Sequence, residues 1–312
     1  MVWLGRGTFW LRPATIILSS LSTSRPYLGG ISFCSALLLC FLCSAAWGQS
    51  GWVKSKGEAY LQVGYQGFQS NQYYTLQGNL LTTNTFRQHS LYFYGEYGLT
   101  DRWDVLLSMP MYRFNSFETT TWAHGIGDLR VELKYGVLTG QVPVSVSVAA
   151  EVPTAKGDNF ATNRELVFEQ INLPTGDGEW NVWLTAAGSH ALAELPIYLQ
   201  GYAAYNLRTG YADSQFRDQL KYGVEVGYQP GKKWWLMARA MAFTTLGEAQ
   251  NQFTDFIRGE GTQFMAAGLA VNYTFVEHWA LVAQGQTYFD GWHPRRNLYS
   301  APMLSVGLAR TW

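Results

Sequence analysis

Four charged residues stand at alternate positions in one short stretch, Asp128, Arg130, Glu132 and Lys134, separated by Leu129, Val131 and Leu133. In an extended chain successive side chains point to opposite faces, so the charges share one face and the aliphatic residues the other. Two kinds of chemistry follow. Charges of both signs beside a water-filled path make a transverse field that sorts solutes. The same row can instead zip into a salt-bridge ladder that stiffens a packed interior. Lys221, Glu225 and Arg239 are assigned to the same interior surface, with Glu96 and Glu151. Catalysis finds less support. His89, His124, His190, His278 and His293 form no HxxxH or HExxH spacing, so no metal site is expected. His89 and Ser90 are adjacent and point to opposite faces, which rules them out as a Ser–His pair on one wall. No GxxxxGK, GxGxxG or GxSxG motif stands in a suitable context, so no cofactor is expected and the chain is not read as an enzyme.

The elements that position these charges follow a period of two from Gly57 onward. Trp103, Val105, Leu107 and Met109 alternate with Asp104 and Ser108, and Leu220, Tyr222, Val224, Val226 and Tyr228 alternate with Lys221 and Glu225. The pattern predicts strands near 57–68, 88–98, 103–114, 126–138, 142–153, 179–189, 196–207, 218–229, 234–245, 263–275, 279–290 and 302–312. Each is near the length of a tilted membrane strand. Connections alternate between short ones (99–102, 139–141, 190–195, 230–233, 276–278) and long ones (69–87, 115–125, 154–178, 208–217, 246–262, 291–301). The expected fold is all-β: a transmembrane, antiparallel, up-and-down β-barrel of about twelve strands, with short periplasmic turns, longer outer loops and both ends in the periplasm. On that fold the four charges must face the lumen, because a mid-membrane Arg or Lys facing lipid costs about 2–4 kcal/mol.

Composition agrees. Charged residues make up 14% of the 312 positions, well under the roughly 25% of ordinary domains, while aromatics reach 16%. That mixture suits a wall that is apolar outside and small and polar inside. Net charge is zero with no basic block, so nucleic acid is not an expected partner. Residues 1–48 read as an N-terminal extension and signal peptide. Arg25 precedes an apolar run from Ile31 to Leu42, and Ala46 and Gly48 suit cleavage before Gln49. Cys34, Cys40 and Cys43 all lie in that segment, leaving residues 49–312, the barrel, without a thiol.

Tyr97 and Trp103, Tyr228 and Trp234, and Tyr273 and Trp279 share one spacing, and each pair brackets a short turn. They are expected to build an aromatic girdle at the periplasmic interface. Leu304, Val306, Leu308 and Trp312 form a closing strand of the kind the outer-membrane assembly machinery takes as a partner. The 154–178 segment carries Leu166, Val167, Phe168, Ile171 and Leu173, too apolar for a solvated loop. It can fold into the barrel as a constriction, cover the mouth, or rest on the rim as a short amphipathic helix.

The segment from Tyr97 to Asp104 (YGLTDRWD), then Ser108-Met109-Pro110, then Gly125 to Tyr135 (GIGDLRVELKY), then Glu151-Val152-Pro153-Thr154 resembles the outer-membrane proteins of the MetA-pathway of phenol degradation family. The match is strong over about 95–155. The family's PTG reads Pro153-Thr154-Ala155 here, with a second copy at Pro174-Thr175-Gly176. The resemblance implies an outer-membrane barrel of a Gram-negative bacterium that is bathed in outer-membrane lipid and passes a small-molecule solute. The expected function is a channel or transporter for small, hydrophobic or aromatic solutes. The alternatives are a structural or surface-interaction barrel with a closed lumen and an outer-membrane lipid enzyme.

Overall fold

The computed structural model describes residues 49–192, 194–211, 214–247 and 256–312. The expected signal segment, 1–48, lies outside the described residues. Twelve long strands build the wall: β1 (Ala59–Tyr74), β2 (Leu80–Gly98), β3 (Trp103–Phe117), β4 (Leu129–Leu138), β5 (Val144–Val152), β6 (Asn181–Leu192), β7 (Ile197–Arg208), β8 (Gln219–Gly231), β9 (Trp234–Thr245), β10 (Gln263–Val276), β11 (Trp279–Phe289) and β12 (Met303–Thr311). Each pairs antiparallel with its neighbours in sequence, and β12 pairs with β1 from Tyr60↔Thr311 to Phe68↔Met303, so the sheet closes. Closure removes the edges that an open sheet would leave unpaired in lipid.

The alternation sets the two faces. Leu61, Val63, Leu91, Leu107, Val131, Leu133, Val146, Val148, Val224, Leu281 and Val306 all lie exposed on the outer wall. Such a continuous apolar band is too large for a water-facing surface and suits hydrocarbon. Trp103 packs on Tyr135 with ring centroids 4.7 Å apart, and Trp234 on Tyr273 at 4.3 Å, where β3 and β9 leave their short turns. These tilted ring contacts join residues of neighbouring strands and are not the Tyr97/Trp103, Tyr228/Trp234 and Tyr273/Trp279 pairs of the shared spacing.

Two expectations need correction, and one alternative for the 154–178 segment drops out. The 69–87 segment is mostly strand: β1 and β2 run on to a tight turn at Thr75–Asn79, where Gly78 takes φ +86. A bulge at Ser70/Gln72 and the pairing of Tyr73 and Tyr74 with Tyr299 and Leu298 sustain this extension. Strand β6 runs through His190, whose Nδ1 lies 3.0 Å from the Gln141 carbonyl, instead of ending in a turn there. The 154–178 segment holds no helix. Phe160–Thr162 and Gln170–Asn172 pair as a small hairpin.

Candidate functional site: a lumenal vestibule and its floor

The lower half of the lumen is filled. Lys134 on β4 lies 2.7 Å from Glu96 on β2 and 3.4 Å from Asp104 on β3. Arg130 pairs with Glu132 at 2.7 Å, and Ser147 donates to the other oxygen of Glu132 at 2.5 Å. Across the barrel Arg239 pairs with Glu225, which also accepts from Tyr198 and Gln200. Arg239 reaches Gln284 at 3.2 Å. Between the two groups Tyr60 donates to Gln62, which donates to Tyr92 at 2.8 Å. Lys221 lies 5.9 Å from the Tyr202 ring. Asp128 precedes β4 and belongs to neither group: it holds a loop, as described below.

Residues 49–58 complete this floor from the turn end. Gly51 donates its N–H to Ser189 Oγ at 2.8 Å, and Ser145 donates to the Ser50 carbonyl at 2.7 Å. Trp52 meets Tyr198 edge-on at 5.4 Å. The Lys54 amide donates to both Asp104 oxygens, at 3.1 and 3.0 Å, and its ammonium lies 4.0 Å from Glu96. The segment therefore crosses the inside of β3, β5, β6 and β7. A glycine is required at 51, where a Cβ would stand 2.2 Å from the Pro143 carbonyl oxygen.

Above the floor the 153–180 loop folds inward. Asp128 accepts N–H bonds from Ala155 at 3.0 Å and Asp177 at 2.7 Å. Asn115 donates to the Pro174 carbonyl at 2.7 Å and Arg113 to the Thr175 carbonyl at 2.9 Å. A Cβ at Gly176 would lie 2.1 Å from Asp128, so the second PTG makes this close approach possible. Leu173 packs with Phe68, Phe86, Tyr299 and Met303, while the tip faces outward with Phe168 99% exposed. Arg208 pairs with Glu179 and lies 3.6 Å from Glu260. Arg258 donates to the Asp177 and Gly157 carbonyls, which ties the 246–262 connection to the same loop.

A cavity of about 320 Å³ remains beneath the loop. One wall is apolar and mostly aromatic: Phe68, Phe86, Phe256, Tyr288, Tyr299 and Met303. The other carries Gln88, Arg113, Asp128, Glu151 and Asp177. Burial pushes the Asp177 carboxyl well above the usual carboxylate range, and the nearby Glu151 charge reinforces this against the pull of Arg208. Burial likewise pushes Glu179 up to about 7, although Arg208 beside it pulls the other way. Pockets of this size and makeup are the usual sites for small ligands.

Of the residues singled out in the sequence, only Asp128 and Glu151 reach this cavity. Arg130, Glu132, Lys134, Glu225 and Arg239 lie in the floor. Arg113, Asp177 and the 49–58 segment escape a reading by alternation. Trp103, Val105, Leu107, Met109 and Met111 point outward, and the same parity would send Arg113 into lipid. The structure reverses that parity: Leu91 pairs with Tyr112 but Tyr92 with Pro110, so Met111 is a bulge. A charge on the lipid-facing row, three residues after a proline that has no N–H to donate, is the signal that marks it.

No family model matches the sequence, and no curated protein sequence matches it. Solved structures do. An outer membrane channel from Pseudomonas putida F1 superposes with a TM-score of 0.61 at 16% identity, over 84% of this chain and 97% of that one. The translocator domain of the autotransporter NalP from Neisseria meningitidis gives 0.48 at 12% identity, over 82% and 89%. The Pseudomonas putida toluene transporter TodX gives 0.43 at 8% identity, over 83% and 90%. The fold is that of an outer-membrane β-barrel, closed by twelve strands, with a filled floor and a vestibule above it.

Proposed function

We propose that the protein is a channel of the Gram-negative outer membrane for small apolar and aromatic solutes, and that it belongs with the MetA-pathway of phenol degradation proteins it resembles between Tyr97 and Thr154. The carrying observation is the cavity of about 320 Å³ with its aromatic wall, inside the lumen and beneath the long loops. In this reading the vestibule takes the solute, and the floor, including Asp104, Arg130, Glu132, Lys134, Glu225 and Arg239, is the barrier it must pass. Residues 49–58 are the movable part of that barrier, because they are held by hydrogen bonds and ring contacts and lie outside the wall strands. The outer-membrane lipid contacts the exposed aliphatic band, and the strand that ends at Trp312 is the partner of the assembly machinery. The chain acts without catalysis or cofactor.

Planar-bilayer recordings test this reading. The protein as it exists should conduct weakly, and a variant that lacks residues 49–58 should conduct at least several-fold more. Equal conductance would overturn the channel assignment. It would favour a closed-lumen structural barrel, the reading to which the buried Lys134–Glu96–Asp104 cluster otherwise lends support.

A further inference from the structure

The polar wall of the vestibule carries both signs of charge with valences left open. Arg113 spends one N–H on the Thr175 carbonyl. Its Nε is buried without a hydrogen-bond partner, and it has no ion-pair partner among the described residues. Glu151 accepts one bond, at Oε2 from the Trp183 indole, and its Oε1 has no partner among the described residues. The two oxygens of Asp128 are already engaged by backbone N–H groups. The Nε itself is closed off from the cavity, so what the cavity meets is the rest of the Arg113 guanidinium, the Glu151 carboxyl and the Asp177 carboxyl, opposite a wall made of rings.

This combination discriminates by head group. An anion would gain Arg113 but face the Asp128, Glu151 and Asp177 carboxyls. A cation would gain the carboxylates but face Arg113 in a low-dielectric lumen, where unpaired like charges are costly. A hydrocarbon would leave the guanidinium and the Glu151 carboxyl unmet, which carries its own penalty. A hydroxyl accepts from one group, donates to the other and adds no charge. The space suffices, since an apolar cavity of about 150 Å³ already takes up benzene. Building on the channel reading above, we propose that the vestibule selects small aromatic alcohols, with the ring on the Phe86–Tyr299 wall and the hydroxyl between Arg113 and Glu151. Sites that hydrogen-bond a ligand hydroxyl reject the analogue that lacks it.

Equilibrium dialysis of the detergent-solubilised protein, with matched detergent on both sides, tests this with four probes of one size: benzyl alcohol, toluene, benzylamine and benzoate. Benzyl alcohol should bind about tenfold more tightly than the other three, a difference near 1.4 kcal/mol. Arg113→Met should move the preference toward benzylamine, and Glu151→Gln toward benzoate. The second variant is nearly isosteric and carries the sign test if the first fails to fold. Toluene binding as well as benzyl alcohol, or an unchanged order in the variants, would overturn the head-group selection while leaving the solute channel standing. Absence of binding by all four probes would remove the vestibule as a solute site altogether.

Discussion

Lys134 on β4 and Glu96 on β2 meet across the strand that separates them, with ammonium and carboxylate 2.7 Å apart over Asp104 of β3. The Lys134 side chain is 1% exposed, so this contact is made out of water. Taking charges out of water is costly, and a buried pair returns that cost only while every member keeps its partner.

Lys134→Met should therefore destabilise the barrel by about 3–5 kcal/mol, because it strands Glu96 and Asp104 in the floor. Urea-dependent folding into lipid vesicles measures this. A Lys134→Met and Glu96→Gln double variant should recover part of the loss, since fewer unpaired charges remain. Full additivity of the two changes would show that the pair is not coupled.

The opposite face of the same strand answers to lipid. Val131 lies outside, one residue from Arg130, and is 36% exposed. Val131→Arg should cost about 2–4 kcal/mol near mid-membrane, and Val131→Ala much less, in the same vesicle assay. A Val131→Arg variant that folds like the parent would place this face away from hydrocarbon.

The wall was legible because a barrel strand repeats one simple constraint, apolar out and small or polar in, over ten or more residues. Strand β9, Trp234 to Thr245, has the bounds its alternation predicts. The constraint fails where one residue is inserted. At Met111 the bulge turns Arg113 inward, and only the cost of a charge in lipid announces it. The β1–β2 extension was hidden because its outer rows, such as Thr82 and Asn84, leave the membrane and need no apolar face. The vestibule was least legible. It depends on contacts as distant in sequence as Asp128 with Ala155 and Arg258 with Gly157, which no local period encodes. The apolar composition of the 154–178 segment left its placement open: Leu173 is buried, while Leu166, Val167 and Phe168 stay exposed.

Gly51 gives a gentler test of the floor than deletion. A valine there would drive its Cβ against the Pro143 carbonyl, 2.2 Å away, and the Ser189 nitrogen, 2.7 Å away. Neither wall atom can yield without breaking the sheet, so the 49–58 segment should undock while the twelve strands stay paired. Gly51→Val should fold normally, raise single-channel conductance and make a protease cut ahead of β1 faster. A conductance equal to the parent's, with the faster cleavage present, would count for the closed-lumen barrel, as it would for the variant that lacks the segment.

The loop over the vestibule should respond to pH through Glu179. Its carboxyl is pushed up to about 7 in the docked loop, chiefly by burial, from the ordinary 4.5. Between those two values the docked state binds more protons than the undocked one. Docking is then strongest below about 4.5, weakens as pH rises through the window to about 7, and levels off above it. Asp177 is shifted in the same direction and adds the same sign. Amide hydrogen exchange of the 153–180 backbone, corrected for the intrinsic pH dependence of exchange, should show protection falling across that range while β9 and β10 stay constant. Glu179→Gln should flatten much of the response, leaving the part that Asp177 carries. Protection that rises with pH would mean that the ion pair with Arg208 outweighs burial. The loop would then be latched by charge instead of released by it.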